Sequence, residues 1–190
     1  HRHSLPGTVM IGIVIQNAAL TTLSLPVLAR VDGAFAITAN ASLRLSLNDT
    51  LENLRFPALA SVGAGLGVSD NAALTSVDFP SLARVSGYFI AANNPSLTSL
   101  GLPALEAPNG LVVYSNAALT SLNLSGLTSV LDNLIISQDG LTSLSLPSLA
   151  RAGTSIQVED NPALTSVSLP ALASAGYGGS SLIRFQRSAA

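Results

Sequence analysis

One phrase returns along the chain at a nearly constant interval: NAALTTLSLPVLARV from Asn17, NAALTSVDFPSLARV from Asn71, NPSLTSLGLPALEAP from Asn94, NAALTSLNLSGLTSV from Asn116 and NPALTSVSLPALASA from Asn161. Gln138 opens a sixth copy and Asn48 a diverged seventh. The steps are 23 residues from Asn48 to Asn71, 23 to Asn94, 22 to Asn116, 22 to Gln138 and 23 to Asn161. A fixed period of this length describes a stack of like coils, each too short to bury its own apolar face and stable only through its neighbours. The spacing is irregular between Asn17 and Asn48: Asn40 follows Asn17 by 23 and Asn48 comes 8 later, which reads as an eight-residue insertion or a collapsed coil.

Leucine stands three residues after each anchor, at Leu20, Leu43, Leu51, Leu74, Leu97, Leu119, Leu141 and Leu164, and eleven after at Leu28, Leu59, Leu82, Leu105, Leu127, Leu149 and Leu172. A third column holds Leu25, Phe56, Phe79, Leu102, Leu124, Leu146 and Leu169. These columns are expected to point inward and build one continuous core. Helices are excluded, because no repeat carries a sustained 3,4 apolar spacing and a proline recurs at Pro26, Pro57, Pro80, Pro103, Pro147 and Pro170. Alternating segments such as Phe35-Ala36-Ile37, Leu66-Gly67-Val68, Leu111-Val112-Val113 and Ile156-Gln157-Val158 have the period of strands. The expected fold is an all-β parallel β-solenoid (β-helix) of about eight rungs of 22–23 residues. It forms a single domain over 1–190, with repeats over about 9–175, an irregular coil at 40–48 and a C-terminal partial rung or cap over 176–190. The asparagine column needs no ligand, since side-chain amides at a solenoid corner can bond the turn and the next rung as a ladder.

Composition narrows function. Hydrophobic residues are 48% and charged residues 9% of the chain, so it folds around an apolar core and is not disordered. No apolar run reaches the roughly 18 positions of a membrane-spanning helix. The net charge is -2 and the arginines are scattered, which speaks against a phosphate-backbone binder, so no nucleic-acid partner is expected. Cysteine is absent, removing disulfides, thiolate metal sites and cysteine nucleophiles. The chain opens His1-Arg2-His3-Ser4 without a basic-then-apolar leader, so a secretion signal is expected to have been removed or to lie outside this stretch.

The pattern G-x-L-x-V/I-x-x-N-x-x-L-T-S-L-x-L-P-x-L-x-x-V, as in Gly65-Leu66 through Val85, resembles the receptor L domain, the leucine-rich-repeat relative of growth-factor receptors. It is more similar still to the cysteine-free tandem forms of fungal cell-wall and bacterial surface proteins, over roughly Val9 to Ala175. The resemblance implies a right-handed β-helix working outside the cell, at the surface or secreted, as a non-catalytic ligand-binding, adhesive or wall-organising module. It transfers no ligand-contacting residue.

Catalysis lacks agents: both histidines fall in the first three residues and the ten carboxylates are spread over the rungs, so no enzyme, catalytic residue or cofactor is expected. Glu159-Asp160-Asn161 and Asp70-Asn71 gather oxygens, but calcium-binding solenoids repeat an aspartate every turn, and no metal site is expected here. The most suggestive feature is a hydroxyl array of Thr21, Thr75, Thr98, Thr120, Thr142 and Thr165 beside Thr22, Ser76, Ser99, Ser121, Ser143 and Ser166, interrupted by Arg44 and Glu52. Rungs about 4.7–4.9 Å apart would make it a grid of the kind ice-binding solenoids use, the alternative to a protein or glycan ligand. A second outward column is expected at Ile13, Ala36, Gly67, Ile90, Val112, Leu134 and Gln157, with Tyr88 and Tyr114 nearby, unless the register is off by one residue. Its apolar members Ile13, Ile90, Val112 and Leu134 are the alternative binding face. Few surface charges and open sheet ends predict a tendency to form a homodimer.

Overall fold

The computed structural model describes residues 51–176 continuously, with 8–9, 13–15, 22–24, 27–31, 35–38 and 182–186. The irregular coil at 40–48, Asn17, Asn48 and Thr21, together with 177–181 and 187–190 of the expected cap, lie outside them. The chain is an all-β parallel β-solenoid of about five turns, with no helix among the described residues.

A broad sheet runs through Ile13–Ile15, Phe35–Thr38, Leu66–Ser69, Tyr88–Ala92, Gly110–Tyr114, Asn133–Ser137, Ser155–Glu159 and Leu182–Gln186, eight parallel strands in chain order. A second sheet carries Thr22–Ser24, Asn53–Arg55, Ser76–Asp78, Ser99–Gly101 and Ser121–Asn123, stops, and resumes as the pair Ser143–Ser145 and Ser166–Ser168. A third carries Thr8–Val9, Arg30–Val31, Ser61–Val62 and Arg84–Val85, stops, and resumes with Ser129–Val130, Arg151–Ala152 and Ser174–Ala175. The third sheet stops at the coil containing Glu106-Ala107-Pro108, where Pro108 has no N–H to give to a ladder.

The leucine columns form the core as their spacing predicts. Leu51, Leu74, Leu97, Leu119 and Leu141 are fully buried, as are Leu59, Leu82, Leu105, Leu127 and Leu149, and Phe56 stacks on Phe79 at 5.4 Å between ring centroids. The prolines explain themselves in the turns that follow the second sheet. Leu59, Leu82, Leu105, Leu149 and Leu172 each donate their N–H to the carbonyl three residues back, on Phe56, Phe79, Leu102, Leu146 and Leu169. Pro57, Pro80, Pro103, Pro147 and Pro170 therefore occupy the second position of a β-turn, where a fixed φ is an advantage and no donor is lost.

At the corner after each of the five broad-sheet strands from Leu66–Ser69 to Ser155–Glu159, one residue adopts a left-handed conformation: Asp70, Asn93, Ser115, Gln138 and Asp160, with φ between 55 and 59°. The residue after it turns inward to build the ladder. Asn94 Oδ1 accepts from the backbone N and Nδ2 of Asn71, both at 3.1 Å. Asn116 Oδ1 accepts from the same atoms of Asn94 at 3.2 and 3.1 Å, and Asp139 Oδ1 from those of Asn116 at 2.9 and 3.0 Å. This corrects the sixth anchor. Gln138 is the left-handed residue and Asp139 holds the ladder position, because Leu141 follows Asp139 by one residue fewer than Leu119 follows Asn116. The shortened turn is possible because residue 140 is glycine: a Cβ there would lie 2.4 Å from the carbonyl oxygen of Ala117. The second sheet is interrupted at this same coil.

The broad-sheet register corrects two members of the expected outward column. Leu134 pairs with Leu111 and Ile156 and is buried, while Ile13 aligns with Phe35, and through it with Leu66, in that same row. The outward row at Asn133–Ser137 is occupied by Ile135, and it is Val14, not Ile13, that pairs with Ala36. With a side-chain period of two, an offset of one residue in a coil exchanges the two faces of the sheet.

Candidate functional site

The second sheet presents the hydroxyls. Ser76, Ser99 and Ser121 share a row with Thr22 and Asn53, and Ser143 faces Ser166 in the final pair. Thr75, Thr98, Thr120, Thr142 and Thr165 precede these serines at the corner and are all exposed. Their hydroxyls are engaged: Thr75, Thr98, Thr120 and Thr165 Oγ1 donate to the carbonyl oxygens of Glu52, Thr75, Thr98 and Thr142, at 2.9, 3.0, 3.4 and 3.0 Å. Each of these four threonines thus staples its coil to the preceding one and shows solvent its methyl group and oxygen lone pairs. Ser76 Oγ bonds Asn53 Oδ1 at 2.6 Å, and an Arg55–Asp78 ion pair at 3.2 Å crosses the same face. The array is cut between Ser121 and Ser143, where the turn at Asp139-Gly140 is short.

The broad sheet presents a different surface. Its outward row reads Gly67, Ile90, Val112, Ile135 and Gln157, each partly exposed, over strands that pair without a break. Exposed Tyr114 lies along one side and Tyr88 along the other. The Tyr88 ring extends over Gly110, where a Cβ would sit 2.2 Å from its Cε1, so glycine is required for the ring to lie there. The Tyr88 hydroxyl donates to the Asp132 carboxylate. That bond, with one from Thr154, holds Asp132 below the usual carboxylate range, and the same bond raises Tyr88 above the usual phenol value. Next to it, Ser155 Oγ donates to Asn133 Oδ1 at 2.8 Å and accepts from Gln157 Nε2 at 3.1 Å. The apolar row therefore has a fixed polar border spanning several coils.

Glu159 pairs with Arg184 at 3.6 Å and Asn161 is buried in the ladder. Among the described residues no group of three or more His, Cys, Asp or Glu converges. Sequence reasoning missed the Tyr88–Asp132 bond, which joins residues 44 apart, and the ladder role of Asp139. A signal for Asp139 was present in the doublets Asp70-Asn71, Asn93-Asn94, Ser115-Asn116 and Asp160-Asn161, whose second member aligns with it. Compared with protein-family models, with characterised proteins and with solved structures, the chain finds no match.

Proposed function

We propose that this chain is a non-catalytic recognition module of the cell surface or extracellular space, a right-handed solenoid of about eight rungs related to receptor L domains, which binds a protein or glycan on the outer face of its broad sheet. One observation carries the reading: the outward row Ile90, Val112 and Ile135 lies on an uninterrupted sheet, flanked by Tyr88 and Tyr114. A purely solvated face would carry charge there, and apolar surface with aromatic and fixed polar groups at its border is typical of binding surfaces. Pull-down from surface extracts and glycan-array binding test it, with Val112→Asp as the control. Binding by the wild type that is lost in the variant supports the reading; equal binding by both moves the site elsewhere.

The second reading, an ice-binding face built on the Thr/Ser array, is favoured by the row Thr75, Thr98 and Thr120, which repeats from coil to coil. The interruption before Thr142 and the charged pair Arg55–Asp78 weigh against it. Ice-crystal shaping by the wild type that disappears in a Thr98→Tyr, Thr120→Tyr double variant would establish it, and unshaped crystals would remove it.

A further inference from the structure

The coil at Gln138–Leu141 differs from its neighbours in sequence, turn length and pairing at once. In the other described coils the ladder asparagine, at Asn71, Asn94, Asn116 and Asn161, has an Nδ2 group that donates to backbone carbonyls. Asn116 reaches Ala91 and Tyr114 at 3.2 and 3.1 Å, and Asn161 reaches Ile136 and Glu159, both at 3.0 Å. Asn71 and Asn94 extend the same group to the next ladder oxygen. Asp139 has an oxygen in place of that amino group. Its Oδ2 is buried without a hydrogen-bond partner, and Asn161 Oδ1 receives the Asp139 backbone N–H at 2.9 Å but no side-chain donor. An ionised carboxylate can only accept, so it cannot fill a donor's place, whereas a protonated one carries the missing O–H.

We propose that Asp139 is a proton-binding rung: with a proton on Oδ2 it completes the ladder between Asn116 and Asn161, and ionised it leaves the Asn161 rung without its side-chain donor and loosens the ladder in the coil that follows the cut in the second sheet. At the cut itself, between the Asn116 and Asp139 coils, the broad and third sheets continue alone, through Gly110–Tyr114 with Asn133–Ser137 and Ser129–Val130 with Arg151–Ala152. The groups packed around Asp139 make the proton the natural occupant. The preceding coil offers the neutral Asn116, and the following coil offers neutral Asn161. Asp160 of that coil lines the same surface cleft, with Gln138 and Pro162, and adds no positive charge; the Glu159 carboxylate is held by Arg184. Burial pushes the Asp139 carboxyl up to about 6, against the downward pull of the bonds from Asn116. Because the folded value lies above the unfolded one, this contribution to stability is full below about pH 4 and is lost as the pH rises through about 6.

Urea unfolding of the wild type and of Asp139→Asn, which supplies the missing donor at every pH, tests the proposal. Between pH 4 and 7 the wild-type unfolding constant should rise about fiftyfold relative to that of the variant. A constant ratio of the two across that range overturns it. Carbon NMR titration of the Asp139 carboxyl in the wild type reads the same proton without a substitution: a midpoint near 6 is expected, and one near 4 overturns the assignment. Millimolar calcium chloride that abolishes the wild-type pH dependence would also overturn it, in favour of a bound cation.

Discussion

Replacing Asn116 with alanine tests whether the ladder is a principal source of stability or an accompaniment to the leucine core. The Asn116 side chain accepts from Asn94 N and Nδ2 and donates to Ala91, Tyr114 and Asp139 Oδ1, at 3.0–3.2 Å throughout. All these groups are buried or nearly so. Asn94 Nδ2 keeps Val68, and Asp139 Oδ1 keeps the Asn116 backbone N–H. The Asn94 N–H loses its acceptor and has no water to turn to. An orphaned buried group costs about 1–3 kcal/mol, and each further bond contributes about 1 kcal/mol net, with losses that do not add fully. The expected destabilisation is about 4 kcal/mol, as large as truncating a core leucine, and a large fraction of the roughly 5–15 kcal/mol that holds a domain together. Equilibrium urea unfolding followed by circular dichroism measures it. A loss under about 1 kcal/mol would refute the argument and show that the corner readily rehydrates.

Gly140→Ala should cost about 2–4 kcal/mol, because the added methyl meets the carbonyl oxygens of Ala117 and Leu119 at 2.4 and 3.2 Å and a backbone cannot move aside as a side chain can; thermal melting reads the loss. Leu134→Ala should cost about 2–5 kcal/mol and Ile135→Ala less than about 1 kcal/mol, since the first is buried and the second faces outward; similar losses in urea would mean that the broad-sheet register is wrong. Gln138→Gly should stabilise by up to about 1 kcal/mol, relieving a left-handed backbone with φ of 56° on a residue that rarely adopts it; a lower melting temperature would show that the Ser115–Gln138 side-chain bond at 2.8 Å outweighs that relief.

The features legible in the sequence are those that every coil repeats. Leucine columns, strand segments and proline turns are stated so many times that an irregular coil does not hide them, and the parallel stack follows from them. Errors occurred where one coil departs from the rule. Aligning the sixth copy on Leu141 placed Gln138 in the ladder, because the single-residue deletion at Gly140 lies between the ladder residue and the leucine used to find it. Leu134 faces inward where the column predicts outward, because Asn133-Leu134-Ile135-Ile136 offers adjacent aliphatics and composition cannot decide which of them faces in. The Tyr88–Asp132 bond was unreadable for another reason: it crosses two coils and depends on Gly110 leaving room, which is a property of packing.

The threonine row shows how repetition invites a functional reading that local chemistry already supplies. A hydroxyl at this corner staples successive coils, so threonine would recur there in a solenoid that binds nothing on that face. Changing Thr75, Thr98, Thr120 and Thr165 together to valine separates the alternatives, because valine keeps the methyl surface and the β-branched shape while removing each staple. The bonds are exposed and water can replace them, so each is worth about 0.5 kcal/mol, and the quadruple variant should lose about 2 kcal/mol if the sites act independently. A stability loss of that size, with ligand capture unchanged, assigns the row to the fold. Stability close to wild type with capture abolished would mean that these hydroxyls face a partner, and that the broad sheet is not the surface that binds.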